Sequence, residues 1–339
     1  MKPFTLTLGN GATLTGLTNL PDALPTTDPE FKPLMVGLHG GSYTSAYFDV
    51  DEKHTAALVS NSLGVPWVAV DRPGYGGSTS FYPIPEGSSY TETLGQWLHH
   101  EILPAVWRQF GEPQGCNSVV LLCHSLGAPG GVIAAAELSQ QEAETGQPAA
   151  YPLAGIIMSG FGTQPIGNSS SSSSSDNGNS NDGDSHRDAK EQASKSAADE
   201  QKEKEELIHF SPEVKDAMML PRGTCDASIY AHTARLNAAL PARERDDALA
   251  TYASRFNDYW APRVRVPILV GMAERDCFWR GDEDHVRDLV AAFTASHKVE
   301  GSLIRGAPHN LEMSYWAHSW YARCFGFGLE CAVWFAKAN

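Results

Sequence analysis

The chain has 339 residues, with 40 acidic against 25 basic side chains and a net charge of −15 at neutral pH. Some 300 residues lie outside one very polar stretch, roughly enough to bury a large core without disulfides or metal, and the acidic excess argues against nucleic acid or an anionic membrane as partner. The N-terminus lacks an apolar core of signal-peptide length and no apolar run is long enough to span a bilayer, so no transmembrane segment and a cytoplasmic location are expected.

In chain order, Phe4–Leu8 and Ala12–Leu17 flank Gly9-Asn10-Gly11 and predict a β-hairpin. Runs apolar on both faces follow at Leu34–Leu38, Pro66–Val70, Ser118–Leu122, Leu153–Met158, Pro267–Gly271 and Val299–Ile304. They are short and rich in β-formers, as in a parallel sheet covered by helices. Helical patterns lie between and after them at Thr91–Phe110, Ala128–Glu144, Glu283–Ser296 and Ser314–Ala336. The alternation predicts an α/β fold with a mostly parallel central sheet flanked by helices, and ligands in such sheets bind at the carboxyl ends of the strands.

Residues 168–206 carry seven consecutive serines, Ser169–Ser175, and continue through Asn, Asp, Gly and then Glu and Lys; this composition predicts a solvated, disordered segment. Leu207–Arg263 regains helical spacing, with Ile229, Ala231, Ala234, Leu236 and Leu240 as one set and Leu249, Tyr252, Phe256 and Tyr259 as another. The expected organisation is a core of residues 1–161 and 262–339 and a helical cap inserted at 162–261. Met218, Met219 and Leu220 in the cap are candidates for lining an acyl pocket or for packing the cap onto the core.

Cys123-His124-Ser125-Leu126-Gly127 stands between a strand and a helix, the build of a nucleophile elbow. Residues two positions either side of the serine must be small; Gly127 is, while Cys123 occupies a position usually taken by glycine. A serine nucleophile needs a histidine base, and the base a carboxylate to orient it. His309, just after the last predicted strand, is the candidate base, and Asp276, after the preceding strand, the candidate acid. Glu274 competes for that role, and Arg275 could pair with either. An oxyanion needs backbone N–H donors; Leu126 supplies one and Gly41, with Gly40 second, the other, from His39-Gly40-Gly41-Ser42. His39 is expected to brace this loop and Asp71-Arg72 to stabilise a buried turn. His99-His100-Glu101 lacks zinc spacing and no phosphate-binding glycine motif occurs, so neither metal nor cofactor is expected. The six cysteines contain no C-x-x-C pair and are expected as buried thiols in a reducing compartment.

Together HGG, DRPGYGGS, C-H-S-L-G, the late Asp276 and the PHN histidine resemble the α/β-hydrolase superfamily, over about residues 31–161 and 262–339. The resemblance is to its esterase, lipase and lactonase branch with a helical cap. It implies a Ser125–Asp276–His309 triad, a Gly41/Leu126 oxyanion hole, and a small-molecule acyl substrate cleaved as an ester, thioester or lactone. The HGG and cap regions resemble some fungal biosynthetic-cluster hydrolases, which implies a place in secondary metabolism. Two alternatives keep the same fold: acyl transfer by the same triad, and a non-catalytic ligand-binding protein.

Overall fold

The computed structural model describes residues 1–22, 28–166 and 205–338. The predicted disordered segment therefore lies outside the described residues, apart from Glu205 and Glu206. In chain order the strands are β1 (Lys2–Thr7), β2 (Thr13–Asn19), β3 (Pro33–Leu38), β4 (Trp67–Val70), β5 (Ser118–His124), β6 (Leu153–Ser159), β7 (Leu207–Ile208), β8 (Leu240–Pro241), β9 (Ile268–Arg275) and β10 (Val299–Pro308). One eight-stranded sheet has the order β1-β2-β4-β3-β5-β6-β9-β10. The opening hairpin adds antiparallel to β4, and the pairings from β4 to β10 are parallel.

Each central strand feeds two cores in turn, because successive side chains point to opposite faces. Val119, Leu121 and Cys123 of β5 join Leu94, Leu98, Val132 and Ile133 from the helices on one face. Val120 and Leu122 join Trp320, Tyr321, Cys324 and Phe325 from the last helix on the other. The strand therefore has no polar side to show, which is why it reads as a continuous apolar run. Four helices lie close to their predicted spans, among them Gly127–Thr145, Glu283–Ala292 and Ala317–Ala338. The fourth begins at Tyr90 with a Ser89/Glu92 capping box and continues through mixed α and π turns to Gly111. The helix Ala57–Leu63 was not predicted; seven residues are too few for a periodic signal. Among the described residues no helix is long and apolar enough to cross a membrane.

β9 and β10 run four residues past their apolar stretches, to Arg275 and Pro308. Pairing continues through Met272 and Ala273 and, past a register shift, sets Pro308 opposite Arg275, while Glu274, Arg275 and Arg305 break the apolar pattern, so hydropathy understates the strand ends that lead into Asp276 and His309.

Between β6 and β9, residues 205–263 form the antiparallel pair β7–β8, the helices Pro212–Met219 and Ala242–Asp247, and a helical run to Arg263. This insertion meets the core through charges as well as apolar side chains. Glu244, fully buried, pairs with the equally buried Arg72 and accepts from the Tyr75 hydroxyl. Arg72 also donates to the His39 carbonyl at 2.7 Å. The expected Asp71–Arg72 turn is thus corrected: Asp71 accepts instead from Ser45 N–H at 2.7 Å and Thr15 Oγ1 at 2.6 Å, leaving Arg72 for the cap. Removing one member of a buried pair strands the other's charge. Glu244→Ala should therefore cost about 3–5 kcal/mol in urea unfolding, and Arg72→Met/Glu244→Leu together should restore most of it.

Candidate active site

Ser125 sits in the turn between β5 and the helix Gly127–Thr145 with φ 49°, a left-handed conformation that a side chain resists. Its N–H donates to the Ser159 carbonyl at 2.8 Å, and its own carbonyl accepts from Ala128 N–H at 2.9 Å. These bonds cross-link the turn to β6 and to the helix. Gly127 is needed for space, since a Cβ there would come 2.5 Å from the Leu38 carbonyl oxygen. Cys123 is accommodated from the opposite side: its Sγ lies where a Cβ on Gly131 would come 2.5 Å away. The helix has given up a side chain to admit the thiol, which burial keeps protonated well above the usual thiol range.

The turn brings Ser125 Oγ to 3.0 Å from His309 Nε2. His309 Nδ1 lies 2.8 Å from Asp276 Oδ2, and Asp276 Oδ1 accepts from the N–H groups of Phe278 and Trp279 at 2.9 and 3.2 Å. The carboxylate and the imidazole are buried, and the Phe278 ring meets the His309 ring edge-on at 4.8 Å. Glu274 faces away. It accepts from Arg305 Nη1 and Gly306 N–H, both at 2.8 Å, and that pairing lowers its carboxyl from the usual value. Arg305, rather than Arg275, is thus the basic partner on this strand end. Cys277 brings a third potential ligand atom within 4.8 Å of those of Asp276 and His309. Burial pushes its thiol up to about 12.

The His39–Ser42 loop lies against Ser125. A Cβ on Gly40 would come 2.9 Å from Ser125 Cβ, and one on Gly41 would meet Leu126 and the cap's Leu240. His39 braces the loop as expected: Nδ1 is 2.7 Å from the Gly40 carbonyl, and Nε2 accepts from Arg72 N–H at 3.1 Å. Gly41, Ser125 and Leu126 together line a cavity of about 80 Å³ closed by Phe161, Met219, Leu240 and Trp279. Of the three expected cap residues only Met219 lines it; Met219 and Leu220 also belong to the core on the far sheet face, with Met218 packed half-buried against it. A larger cavity of about 910 Å³ lies at the opposite end of the strands, by Asn117, Pro152 and Pro267, away from Ser125.

The model of the "Alpha/beta hydrolase family" matches residues 35–320. The chain belongs to this family. Similar solved structures include a thioesterase domain from the curacin biosynthetic pathway, at 14% identity over 96% of this chain and 99% of that one, with a TM-score of 0.54. Others are a monoacylglycerol lipase from Paleococcus ferrophilus (13%, 88% and 96%, 0.54) and an N-acyl homoserine lactonase (14%, 98% and 98%, 0.54). Identities this low establish a shared fold and leave the substrate open. A search of curated proteins finds no match.

Beneath Ser125 this member of the α/β-hydrolase family carries a polar network that no sequence motif announces. His124 stacks on Tyr47, with ring centroids 4.6 Å apart, and its Nδ1 lies 3.1 Å from Ser159 Oγ and 3.2 Å from Glu312 Oε2. Glu312 also accepts from Ser159 Oγ, Tyr47 OH and Trp320 Nε1 at 2.6, 2.8 and 2.9 Å. The available signal was a lone glutamate in the buried-type stretch after His309, but a single acidic residue has no motif to announce it. Burial raises the Glu312 carboxyl and lowers the His124 imidazole; burial, then the Arg72 charge, lowers His39. Both rings stay neutral in the fold where the unfolded chain would protonate them, below the usual histidine value of 6.5. The unfolded state then binds more protons, so stability falls as pH drops. Glu312 acts in the opposite sense, starting from the lower carboxylate range. The melting temperature should decline between about pH 7 and pH 6, and less steeply in His124→Gln. An unchanged slope in the variant would mean that His124 is not held neutral.

Proposed function

We propose that this protein is a serine hydrolase that cleaves a carboxylic ester, thioester or lactone of a small molecule through an acyl-Ser125 intermediate. The observation that carries the reading is the continuous relay from Ser125 Oγ to His309 Nε2 at 3.0 Å and from His309 Nδ1 to Asp276 Oδ2 at 2.8 Å. Oγ attacks the substrate carbonyl carbon as His309 takes its proton. The N–H groups of Gly41 and Leu126 stabilise the oxyanion, the role that such donors play in acyl transfer. Collapse of the tetrahedral species breaks the bond to the alcohol or thiol, which leaves with the proton from His309. Water then repeats the sequence in reverse roles, releasing the acid and free Ser125. Asp276, held by two backbone donors, keeps the imidazole tautomer with Nε2 free to accept.

The cavity bears on substrate size. About 80 Å³ is well below the roughly 300–1,000 Å³ usual for small-molecule pockets, and apart from Arg245 the cap side is apolar. This favours short, uncharged acyl groups.

On a series of p-nitrophenyl esters, acetate and butyrate should turn over faster than long-chain esters. Ser125→Ala and His309→Ala should lose kcat by at least about 10³-fold and Asp276→Asn by about 10⁴-fold, with Tm little changed. Glu274→Gln should stay within about threefold of wild type, since it acts on a surface ion pair. A crippled Glu274→Gln beside a mild Asp276→Asn would make Glu274, not Asp276, the acid.

A further inference from the structure

Ser42, next to Gly41 in the loop assigned to the oxyanion, also has a positive φ, 57°. Its hydroxyl is buried without a hydrogen-bond partner, so the side chain does nothing to hold the loop in that conformation. The carbonyl of Ser42 is held instead, and from the cap. Lys215 Nζ donates to it at 2.8 Å and Ala238 N–H at 3.0 Å. Lys215 belongs to the cap helix Pro212–Met219, and its side chain is fully buried. Its ammonium also lies 3.6 Å from the centre of the Tyr43 ring, a cation–π contact. Tyr43 OH accepts from Asn310 Nδ2 at 2.7 Å, and Asn310 N–H donates to the carbonyl of Met219, the last residue of the same helix, at 3.1 Å. One short cap helix thus grips both the oxyanion loop and the residue next to His309.

We infer that Lys215 is a positioning residue, which holds the Ser42 carbonyl from the cap so that the Gly41 N–H stays aimed at the oxygen attacked by Ser125. This rests on the serine-hydrolase reading above. Fixing the Ser42 carbonyl sets ψ at that residue, and the positive φ passes the constraint to the peptide planes on its N-terminal side. A buried ammonium is costly to keep, and a stability role alone would be better served by an apolar side chain. Burial outweighs the attraction of Asp216 and holds the amine down to about 7; charged or neutral, it keeps an N–H to donate to the Ser42 carbonyl.

The test uses the full chain, p-nitrophenyl butyrate, and an alkyl trifluoromethyl ketone that forms a tetrahedral adduct on the nucleophile. Lys215→Met should lower kcat by about 10- to 100-fold while KM stays within about threefold, because only the transition state uses the aimed N–H. Ketone affinity should fall by the same factor as kcat/KM, and Tm should hold or rise because methionine replaces a buried charge. Lys215→Gln, which keeps a donor, should recover part of kcat and gives the reading if the methionine variant folds poorly. An unchanged kcat in both variants would overturn the inference. So would kcat and Tm falling together in both, since the lysine would then serve only the fold. Ser125→Ala runs in parallel: turnover or tetrahedral adduct in that variant defeats the underlying hydrolase reading, whatever Lys215 does.

Discussion

The left-handed turn at Ser125 is the constraint on which the rest of the site depends. A non-glycine residue at φ 49° gives up roughly 1–2 kcal/mol, and it persists because its surroundings leave no alternative. β5 is buried on both faces and cannot slide. The N–H of Ser125 is bonded to β6, and its carbonyl caps the first turn of the following helix. Relaxing the turn would break those bonds, and the close approach of Gly127 to the Leu38 backbone, where even a Cβ would not fit, leaves the chain little room to shift. The strain lifts the hydroxyl off the sheet edge, and the ends of β9 and β10 meet it there with Asp276 and His309.

The cap is joined to this centre by buried polar groups. Glu244 reaches Arg72, which in turn holds the His39 carbonyl, and Lys215 reaches the Ser42 carbonyl two residues beyond Gly40. Both links end on the same loop, the one whose glycines lie against Ser125. Such groups contribute less to stability than apolar packing of equal volume, but their geometry is directional. A cap held by apolar contacts alone could shift by an ångström at little cost, whereas one held by a carbonyl and a carboxylate fixes the loop beneath it. The small apolar cavity follows from this: the cap sits close over Ser125.

Much of this architecture was legible in the chain. Runs such as Leu34–Leu38 and Ser118–Leu122 are apolar on both faces because each strand feeds two cores, whereas a strand with one face in water would alternate. Ser125, Asp276 and His309 were found from their places after strands, and the structure brings these three together. What stayed hidden was long-range and polar. Nothing local marks Arg72 as the partner of Glu244, 172 residues away, or Lys215 as a donor to Ser42, so the sequence suggested the nearer pairing of Asp71 with Arg72. Glu312 escaped for the same reason: its partners Tyr47, Ser159 and Trp320 come from three separate segments. Strand ends were also cut short, because backbone pairing continued after the apolar signal stopped. The Cys123 departure from the usual small residue became intelligible only with Gly131 seen beside it.

The central claim is that Ser125 is the covalent nucleophile, and a fluorophosphonate probe tests it without knowledge of the substrate. Intact-protein mass spectrometry should show a single adduct, peptide mapping should assign it to Ser125, and Ser125→Ala should remain unlabelled while folded. Labelling of Ser125→Ala at the wild-type rate would contradict the account.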